Sequence, residues 1–186
     1  MQKLTHQEIL VERSKNRDLE KLPVCLLLDN VRSLYNVGSL FRLADGAGLE
    51  RVMLTGITGM PPHPGLRKTA LGADESVSWE YHVDSLKLAR KLSASGYQLV
   101  VLEHVKSAKI HWEVQYQFPI CLVLGSEVSG VRPEIVEMAD EAIEVPMKGE
   151  KNSLNVAMAA GIAVYEIVRQ YQGRCHPGQE TLEERP

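Results

Sequence analysis

Three polar segments contain the residues of this sequence whose types and spacing suit them to chemistry: 29–48, 124–130 and 145–157. Each begins at the end of a segment whose apolar residues predict a strand. Ligands of open α/β sheets bind just beyond the carboxyl ends of the strands. We therefore expect the three segments to meet at one edge of a sheet and to form a ligand site there.

The first segment places Asn36 and Arg42 early in a helical pattern that follows a buried strand. Arg42 lies off the apolar face of that helix, where its guanidinium can bind a phosphate with two parallel hydrogen bonds. Two structural alternatives stay open. Asn36 can cap the helix, and Arg42 can pair with Asp45 three residues further on.

The second segment has two glycines, Gly125 and Gly130, directly after a predicted strand. Glycines at such positions allow a close approach between the backbone and a ligand. Neither the Gly-x-x-x-x-Gly-Lys-Ser/Thr nor the Gly-x-Gly-x-x-Gly pattern of common nucleotide sites is present. Glu127 argues against a phosphate-binding loop, because its carboxylate has the same charge as a phosphate. It suits a ligand with cationic or hydroxyl groups. A plain tight turn is the structural alternative.

The third segment leaves its strand at Pro146, because proline does not continue a central strand. Ser153 is the predicted cap of the final helix, which places Asn155 two residues inside an otherwise apolar helix. An asparagine buried there needs hydrogen-bond partners. Met147 and Leu154 would form an apolar wall beside these polar groups, as in most ligand pockets.

The elements that carry these segments alternate between strands and helices. Strands are predicted at 24–28, 51–55, 98–102, 120–124 and 142–145, and helices at 5–20, around 37–47, 66–72, 84–95, from 133, and 153–170. This alternation predicts an α/β domain with a mostly parallel sheet flanked by helices. The helix at 153–170 is apolar almost all round, which predicts burial on more than one side, including against a partner subunit.

Composition limits the class of protein. The 186 residues, 44% of them hydrophobic, fit one domain with short extensions. A net charge of −3 argues against a protein that coats nucleic acid through its overall charge, although a local basic patch remains compatible with RNA binding.

We expect a reduced, cytoplasmic protein with no membrane span and no metal, since the three cysteines form no Cys-x-x-Cys pair and the histidines lack ligand spacing. A dehydrogenase is disfavoured because no Gly-x-Gly-x-x-Gly follows the first strand.

Together, the three segments resemble motifs 1, 2 and 3 of the TrmH (SpoU) family of the SPOUT methyltransferases. The resemblance covers about residues 24–170, with Val145 where isoleucine is commoner and Ala157 where serine is frequent. The motifs read Asn-x5-Asn-x-Gly-x3-Arg-x2-Asp-x2-Gly from Asn30 to Gly48, Gly-x-Glu-x2-Gly from Gly125 to Gly130, and Val-Pro-Met-x-Gly-x3-Ser-Leu-Asn-Val from Val145 to Val156.

This resemblance implies a SPOUT fold with a C-terminal deep trefoil knot, a homodimer with its active site near the subunit interface, and methyl transfer from S-adenosylmethionine to a ribose 2′-hydroxyl of tRNA or rRNA. Arg42 matches the catalytic position of the family. The other functional positions are matched by Asn36, Glu127, Ser153 and Asn155. The family's cofactor contacts are matched by Leu102, Gly125, Val145, Met147, Ser153 and Leu154.

The expected organisation is an N-terminal helical extension at 1–22, with a capping box of Thr5 and Glu8, a SPOUT methyltransferase domain at 23–171 and a flexible C-terminal tail at 172–186. A catalytically silent RNA-binding factor with the same fold is the alternative function, and the intact Arg42 and third motif argue against it. Candidate RNA contacts, each also compatible with a solvated surface charge, are Arg13, Lys15, Arg17, Arg32, Arg67, Lys68 and Arg169.

Overall fold

The computed structural model describes residues 3–5, 7–9, 11 and 21–175. It contains one seven-stranded sheet in which every described pairing of strands is parallel. The strands are β1 (Leu22–Asp29), β2 (Leu49–Thr55), β3 (Trp79–His82), β4 (Gln98–Leu102), β5 (Lys109–Ile110), β6 (Ile120–Gly125) and β7 (Glu141–Glu144). Their order across the sheet is β3-β2-β1-β6-β4-β7-β5, which confirms the predicted parallel α/β architecture.

Within residues 21–175, six helices flank the sheet: α1 (Leu34–Ala47), α2 (Pro64–Ala70), α3 (Ala73–Ser76), α4 (Ser85–Ala94), α5 (Pro133–Met138) and α6 (Val156–Cys175). The five predicted strands are confirmed. The sequence missed β3 and β5, the two edge strands, because they are short and half exposed, so neither forms an apolar run.

The sheet is buried on both faces by helices. One face packs against α1 and α6, where Leu26 and Leu28 of β1 contact a cluster that includes Phe41 and Ile167. The other face packs against α4 and α5 through a second buried cluster. Burial on both faces explains why β1 and β6 are apolar without alternation.

Helix α1 begins and ends as its sequence dictates, with one correction. Its N-cap is Ser33, whose Oγ accepts a hydrogen bond from the backbone N–H of Asn36. The alternative in which Asn36 caps the helix is therefore wrong, and the Asn36 side chain is available for other contacts. Gly48 ends the helix with φ of 68°, a left-handed conformation that glycine adopts without strain.

Helix α6 begins at Val156, three residues later than predicted, so Ser153 is not its cap. Asn155 has that role. Its Oδ1 accepts hydrogen bonds from the backbone N–H groups of Ala157 (3.0 Å) and Met158 (3.4 Å). The described part of the helix reaches Cys175, inside the predicted tail, and the remainder of that tail lies outside the described residues.

Two further helix starts follow prediction, at Asp84, which caps α4 through its side chain, and at Pro133, which opens α5. The capping box of the N-terminal extension is also present, since the N–H of Thr5 donates to Glu8 Oε2 at 2.6 Å and the N–H of Glu8 donates to Thr5 Oγ1 at 3.3 Å. Most of the predicted 5–20 helix lies outside the described residues. The trefoil knot stays a prediction.

Candidate functional site

A cavity of about 450 Å³ opens at the carboxyl ends of β4, β6 and β7. This is the edge of a parallel sheet at which ligands bind. Its walls combine apolar and polar side chains, as ligand pockets do. It is lined by Leu102, Glu103, His104, Gly125, Ser126, Glu127, Val128, Gly130, Glu144, Val145, Ser153, Leu154, Asn155, Val156 and Ala159.

Most of the residues singled out from the sequence lie on this cavity, although they come from distant parts of the chain. Glu127, Ser153 and Asn155 line it, as do four further predicted cofactor contacts, namely Leu102, Gly125, Val145 and Leu154. Three predicted site residues, Met147, Asn36 and Arg42, are not among its lining residues.

The loop after β6 is a closed turn, and it also forms one wall of the cavity. The backbone groups of Ser126 and Gly130 exchange two hydrogen bonds, of 3.1 and 2.9 Å. Ser126 Oγ accepts two more from the N–H groups of Val128 and Ser129, both at 3.2 Å. A Cβ on Gly125 would overlap the backbone of Gly130 and Val131. Glycine at this position therefore lets the turn fold back over the strand end.

Glu103 holds this turn against β4. Its Oε2 accepts a hydrogen bond from the N–H of Val131 at 2.9 Å, and its Oε1 accepts one from the N–H of His104 at 3.0 Å. A Cβ on Gly130 would collide with the same carboxylate. Glu103 was not predicted as a site residue, although its position directly after a predicted central strand is a signal for one.

Glu127 reaches from the β6 loop to the start of α1. Its carboxylate accepts hydrogen bonds from the N–H of Arg32 (3.0 Å), the N–H of Ser33 (3.2 Å) and the Nδ2 amide of Asn36 (2.6 Å). Partial burial opposes ionisation, but hydrogen bonds from backbone N–H groups and from the Asn36 amide outweigh it and lower the pKa of Glu127. The carboxylate is thus held as an anion, and three donors already occupy it.

Asn36 links Glu127 to the third motif through hydrogen bonds of its side chain. While its Nδ2 donates to Glu127, its Oδ1 accepts a hydrogen bond of 2.9 Å from Nδ2 of Asn155. Asn155 in turn caps α6. One side chain from each motif therefore forms a continuous chain of hydrogen bonds, which we call the Glu127–Asn36–Asn155 network.

Asp29 ties the first motif to the segment after the second. The residue is buried at the end of β1. Its Oδ2 accepts a hydrogen bond from the N–H of Arg132 at 2.9 Å, and its Oδ1 accepts one from Nδ2 of Asn30 at 2.8 Å. Asn30 Oδ1 accepts from the N–H of Ile57 at 3.1 Å. These bonds fix three loops at the same edge of the sheet.

Arg42 lies on the exposed side of α1, and its guanidinium has no hydrogen-bond or ion-pair partner among residues 21–175. The alternative in which it pairs with Asp45 is wrong, because Asp45 Oδ1 accepts a hydrogen bond of 2.7 Å from Ser76 Oγ instead. A free guanidinium is available for an external anion such as a phosphate.

The wall of the cavity also carries a contact between a histidine and a carboxylate that was not predicted from the sequence. His104 Nδ1 lies 3.0 Å from Glu144 Oε2, and both residues line the cavity. They stand at the ends of β4 and β7, which are hydrogen-bonded neighbours. Residues at adjacent parallel strand ends meet at the same edge, so the sheet order is the information that was missing.

The predicted RNA contacts differ in how free they are. Arg32 and Lys68 are exposed and make no ion pair with the residues that the structure describes. Arg67 pairs with Asp74 and Glu75, and Arg169 pairs with Glu166 at 2.7 Å. The remaining candidates, Arg13, Lys15 and Arg17, lie outside the described residues.

Within the described part of the chain, no group of three or more His, Cys, Asp or Glu side chains is placed to hold a metal ion. None of the helices described there has the length and apolar character that a membrane crossing requires.

A parallel α/β sheet with a cavity of apolar and polar residues at its carboxyl edge is the class of structure in which organic ligands bind. Comparison with known proteins gives the family. Residues 23–165 match the model of the SpoU rRNA Methylase family, and the chain belongs to that family.

Similar proteins carry the following names. A 23S rRNA (guanosine-2′-O-)-methyltransferase RlmB of Burkholderia sp is 32% identical over 82% of this chain, which spans 61% of that relative. A tRNA (guanosine(18)-2′-O)-methyltransferase of Aquifex aeolicus is 30% identical over 96% of this chain and 81% of the relative. The AdoMet-bound rRNA methyltransferase from Sinorhizobium meliloti has a similar structure, with a TM-score of 0.75, 26% identity and coverage of 82% of this chain and 57% of that one.

Proposed function

We propose that this protein transfers a methyl group from S-adenosylmethionine to a ribose 2′-hydroxyl of tRNA or rRNA. The observation that carries the proposal is the cavity whose walls are built from the second and third motifs and whose Glu127–Asn36–Asn155 network reaches the first. The names of the relatives support the reaction, since both are guanosine 2′-O-methyltransferases of RNA. They act on different RNAs, so the proposal covers both substrate classes.

The cavity fits the proposed cofactor. Its volume of about 450 Å³ lies within the range of pockets for drug-sized ligands, roughly 300–1,000 Å³. Leu102, Val145 and Leu154 offer apolar contacts. The Ser153 hydroxyl lies exposed on the cavity wall and bonds to no residue within 21–175, so it is free to contact a ligand. Gly125 and Val145 would add backbone groups at the strand ends.

The chain's own task in this reaction is alignment. S-adenosylmethionine supplies a methyl group that its sulfonium already activates. The protein must hold the ribose oxygen in line with the bond that breaks, which is catalysis by proximity. The Glu127–Asn36–Asn155 network serves this by fixing the first motif relative to the cavity wall. Glu127 is a poor general base because three donors occupy its carboxylate and its pKa is lowered.

Arg42 is the proposed catalytic residue, and two roles are open to it: stabilising negative charge or acting as the general base. A guanidinium stays protonated in proteins, and a bound phosphate favours that charged form, which suits Arg42 to stabilising the developing alkoxide and fixing the RNA phosphate. The family proposal instead makes it the base that removes the 2′-hydroxyl proton. A pH–rate profile whose basic limb is unmoved in Arg42→Lys would contradict the base role.

A homodimer would bring Arg42 to a cavity. Arg42 does not line the cavity of its own subunit, and its helix packs against α6. Three exposed apolar side chains of α6, Met158, Ile162 and Tyr165, follow helical spacing, with exposures of 62%, 41% and 55%. Tyr165 lies beside Gly46 of α1. A second copy covering this face would bury it and place Arg42 next to the partner's site.

The proposal includes the remaining expectations from the family. Residues 23–171 form the methyltransferase domain, the final part of which threads the knot, and 1–22 and 172–186 are extensions to it. A cytoplasmic location is also part of the proposal, in keeping with the RNA substrates that the relatives' names give.

Methyl incorporation from labelled S-adenosylmethionine into total tRNA and into rRNA tests the reaction, with calorimetric titration of the cofactor in parallel. We expect cofactor binding and label in one of the two RNA pools. Cofactor binding with no label in either pool, together with RNA binding, would favour the silent RNA-binding factor. Absence of cofactor binding would contradict the proposal altogether.

A further inference from the structure

The charges on the cavity wall all have one sign, apart from a single histidine. Three carboxylates line the cavity, those of Glu103, Glu127 and Glu144. Among the described residues that line it there is no lysine or arginine, and His104 is the one side chain that can carry a positive charge. The cavity therefore presents an environment that favours a cationic ligand over a neutral one of the same shape.

Two of these carboxylates are already hydrogen-bonded to backbone N–H groups. Glu103 accepts hydrogen bonds from the N–H groups of Val131 and His104. Glu127 accepts them from the start of α1, where the helix dipole adds positive charge. These two anions are committed to holding loops in place.

Glu144 differs because its partner is a side chain. Its Oε2 lies 3.0 Å from His104 Nδ1, and 32% of its side chain is exposed. The neighbouring cation, Lys109, is paired with Glu141 at 2.8 Å and not with Glu144. Within the described residues, the side-chain partner of the Glu144 carboxylate is therefore His104, and the negative charge of Glu144 also acts on a ligand in the cavity.

We propose that Glu144, set by its pairing with His104, is a specificity-determining residue that favours the sulfonium-bearing cofactor over the product of the reaction. This inference rests on the proposed function. S-adenosylmethionine carries one more positive charge than S-adenosylhomocysteine, because loss of the methyl group converts the sulfonium to a neutral thioether. A carboxylate in the cavity wall attracts the positively charged S-adenosylmethionine but not the neutral thioether of S-adenosylhomocysteine. Loss of the methyl group therefore removes this attraction, and the product binds more weakly than the substrate.

Calorimetric titration of the full chain with three ligands tests the proposal: S-adenosylmethionine, S-adenosylhomocysteine and sinefungin, which carries an amine in place of the methylated sulfonium. We expect both cationic ligands to bind more tightly than S-adenosylhomocysteine. In Glu144→Gln this preference should fall about two- to fivefold, the size of a partly exposed ion pair. Binding of the neutral product should change little.

Two further variants make the test specific. His104→Ala removes the partner of Glu144 and should increase the preference for the cationic ligands, whereas the double variant should behave like Glu144→Gln. Glu137→Gln removes an exposed carboxylate of α5 outside the cavity lining and should leave the preference unchanged. Added salt should reduce the preference of the wild-type protein.

An unchanged ratio of the two affinities in Glu144→Gln, with the protein folded by circular dichroism, would overturn the inference while leaving the proposed function intact. Equal effects of Glu137→Gln and Glu144→Gln would also overturn it, since net charge and not position would then be responsible. Failure of the wild-type protein to bind S-adenosylmethionine would instead contradict the proposed function.

Discussion

The Nδ2 amide of Asn155 donates a hydrogen bond of 2.9 Å to Oδ1 of Asn36, a residue 119 positions earlier in the chain. Asn36 donates in turn to Glu127. Each of these side chains comes from a different motif, and two of them also stabilise the start of a helix, Asn155 at α6 and Glu127 at α1. The residues that position the site therefore also stabilise the structure around it.

Asn155→Ala should destabilise the protein, whereas Ser153→Ala should not. The first change removes the cap of α6 and the bond to Asn36, for which we expect a loss of about 1–2 kcal/mol in the free energy of unfolding. Urea unfolding measures this. Ser153 is exposed and has no partner within residues 21–175, so its change should weaken cofactor binding at unchanged stability. Equal stability losses in both variants would contradict this division of roles.

Glu127→Gln should cost more stability at pH 7 than at pH 3. The pKa of Glu127 is lowered in the folded protein, so its stabilising contribution is present above the unfolded value of about 4.3 and is lost as the pH falls through the folded value. Urea unfolding at the two pH values, with Glu137→Gln as a control for an exposed carboxylate, measures the difference. A stability loss that does not depend on pH would show that the charge of Glu127 is unimportant.

Arg42→Ala should reduce the rate of methyl transfer by about 100- to 1,000-fold, the usual effect of removing a group that stabilises developing charge. The cavity does not include Arg42, so S-adenosylmethionine should bind with unchanged affinity. Arg90→Ala, which changes an exposed arginine of α4, is the matched control and should retain activity. Loss of cofactor affinity in Arg42→Ala would place this residue in the cofactor site instead.

Tyr165→Glu should convert a dimer to a monomer. A charge on the exposed apolar face of α6 opposes its burial against a second copy. Sedimentation velocity measures the mass, and methyl transfer should fall with it while cofactor binding persists. Val83→Glu changes an apolar side chain that is 81% exposed elsewhere and should leave the mass unchanged. A monomeric wild-type protein with full activity would contradict the proposed dimer.

Much of the fold follows from the sequence because apolar runs and capping residues are local signals. β1, α1 and α4 appear where Leu26, Gly48 and Asp84 predict them. The edge strands β3 and β5 were not predicted because their own sequences lack a strand pattern. They are strands because they pair with β2 and β7.

The start of α6 illustrates the limit at the site. Ser153 and Asn155 are both good caps, and the choice between them depends on the Asn36 amide, which is distant in sequence. The contact between His104 and Glu144 was not predicted for a similar reason. Their proximity follows from the order β6-β4-β7, which local patterns do not encode.

The position of the transferred methyl group tests the central claim most directly. RNA methylated with tritiated S-adenosylmethionine is digested to nucleosides, and the labelled nucleoside is identified by chromatography against standards. We predict that the label lies in a 2′-O-methylnucleoside and that Arg42→Ala incorporates it about 100- to 1,000-fold more slowly. Label in a base-methylated nucleoside, or equal labelling by the Arg42→Ala variant, would contradict the account.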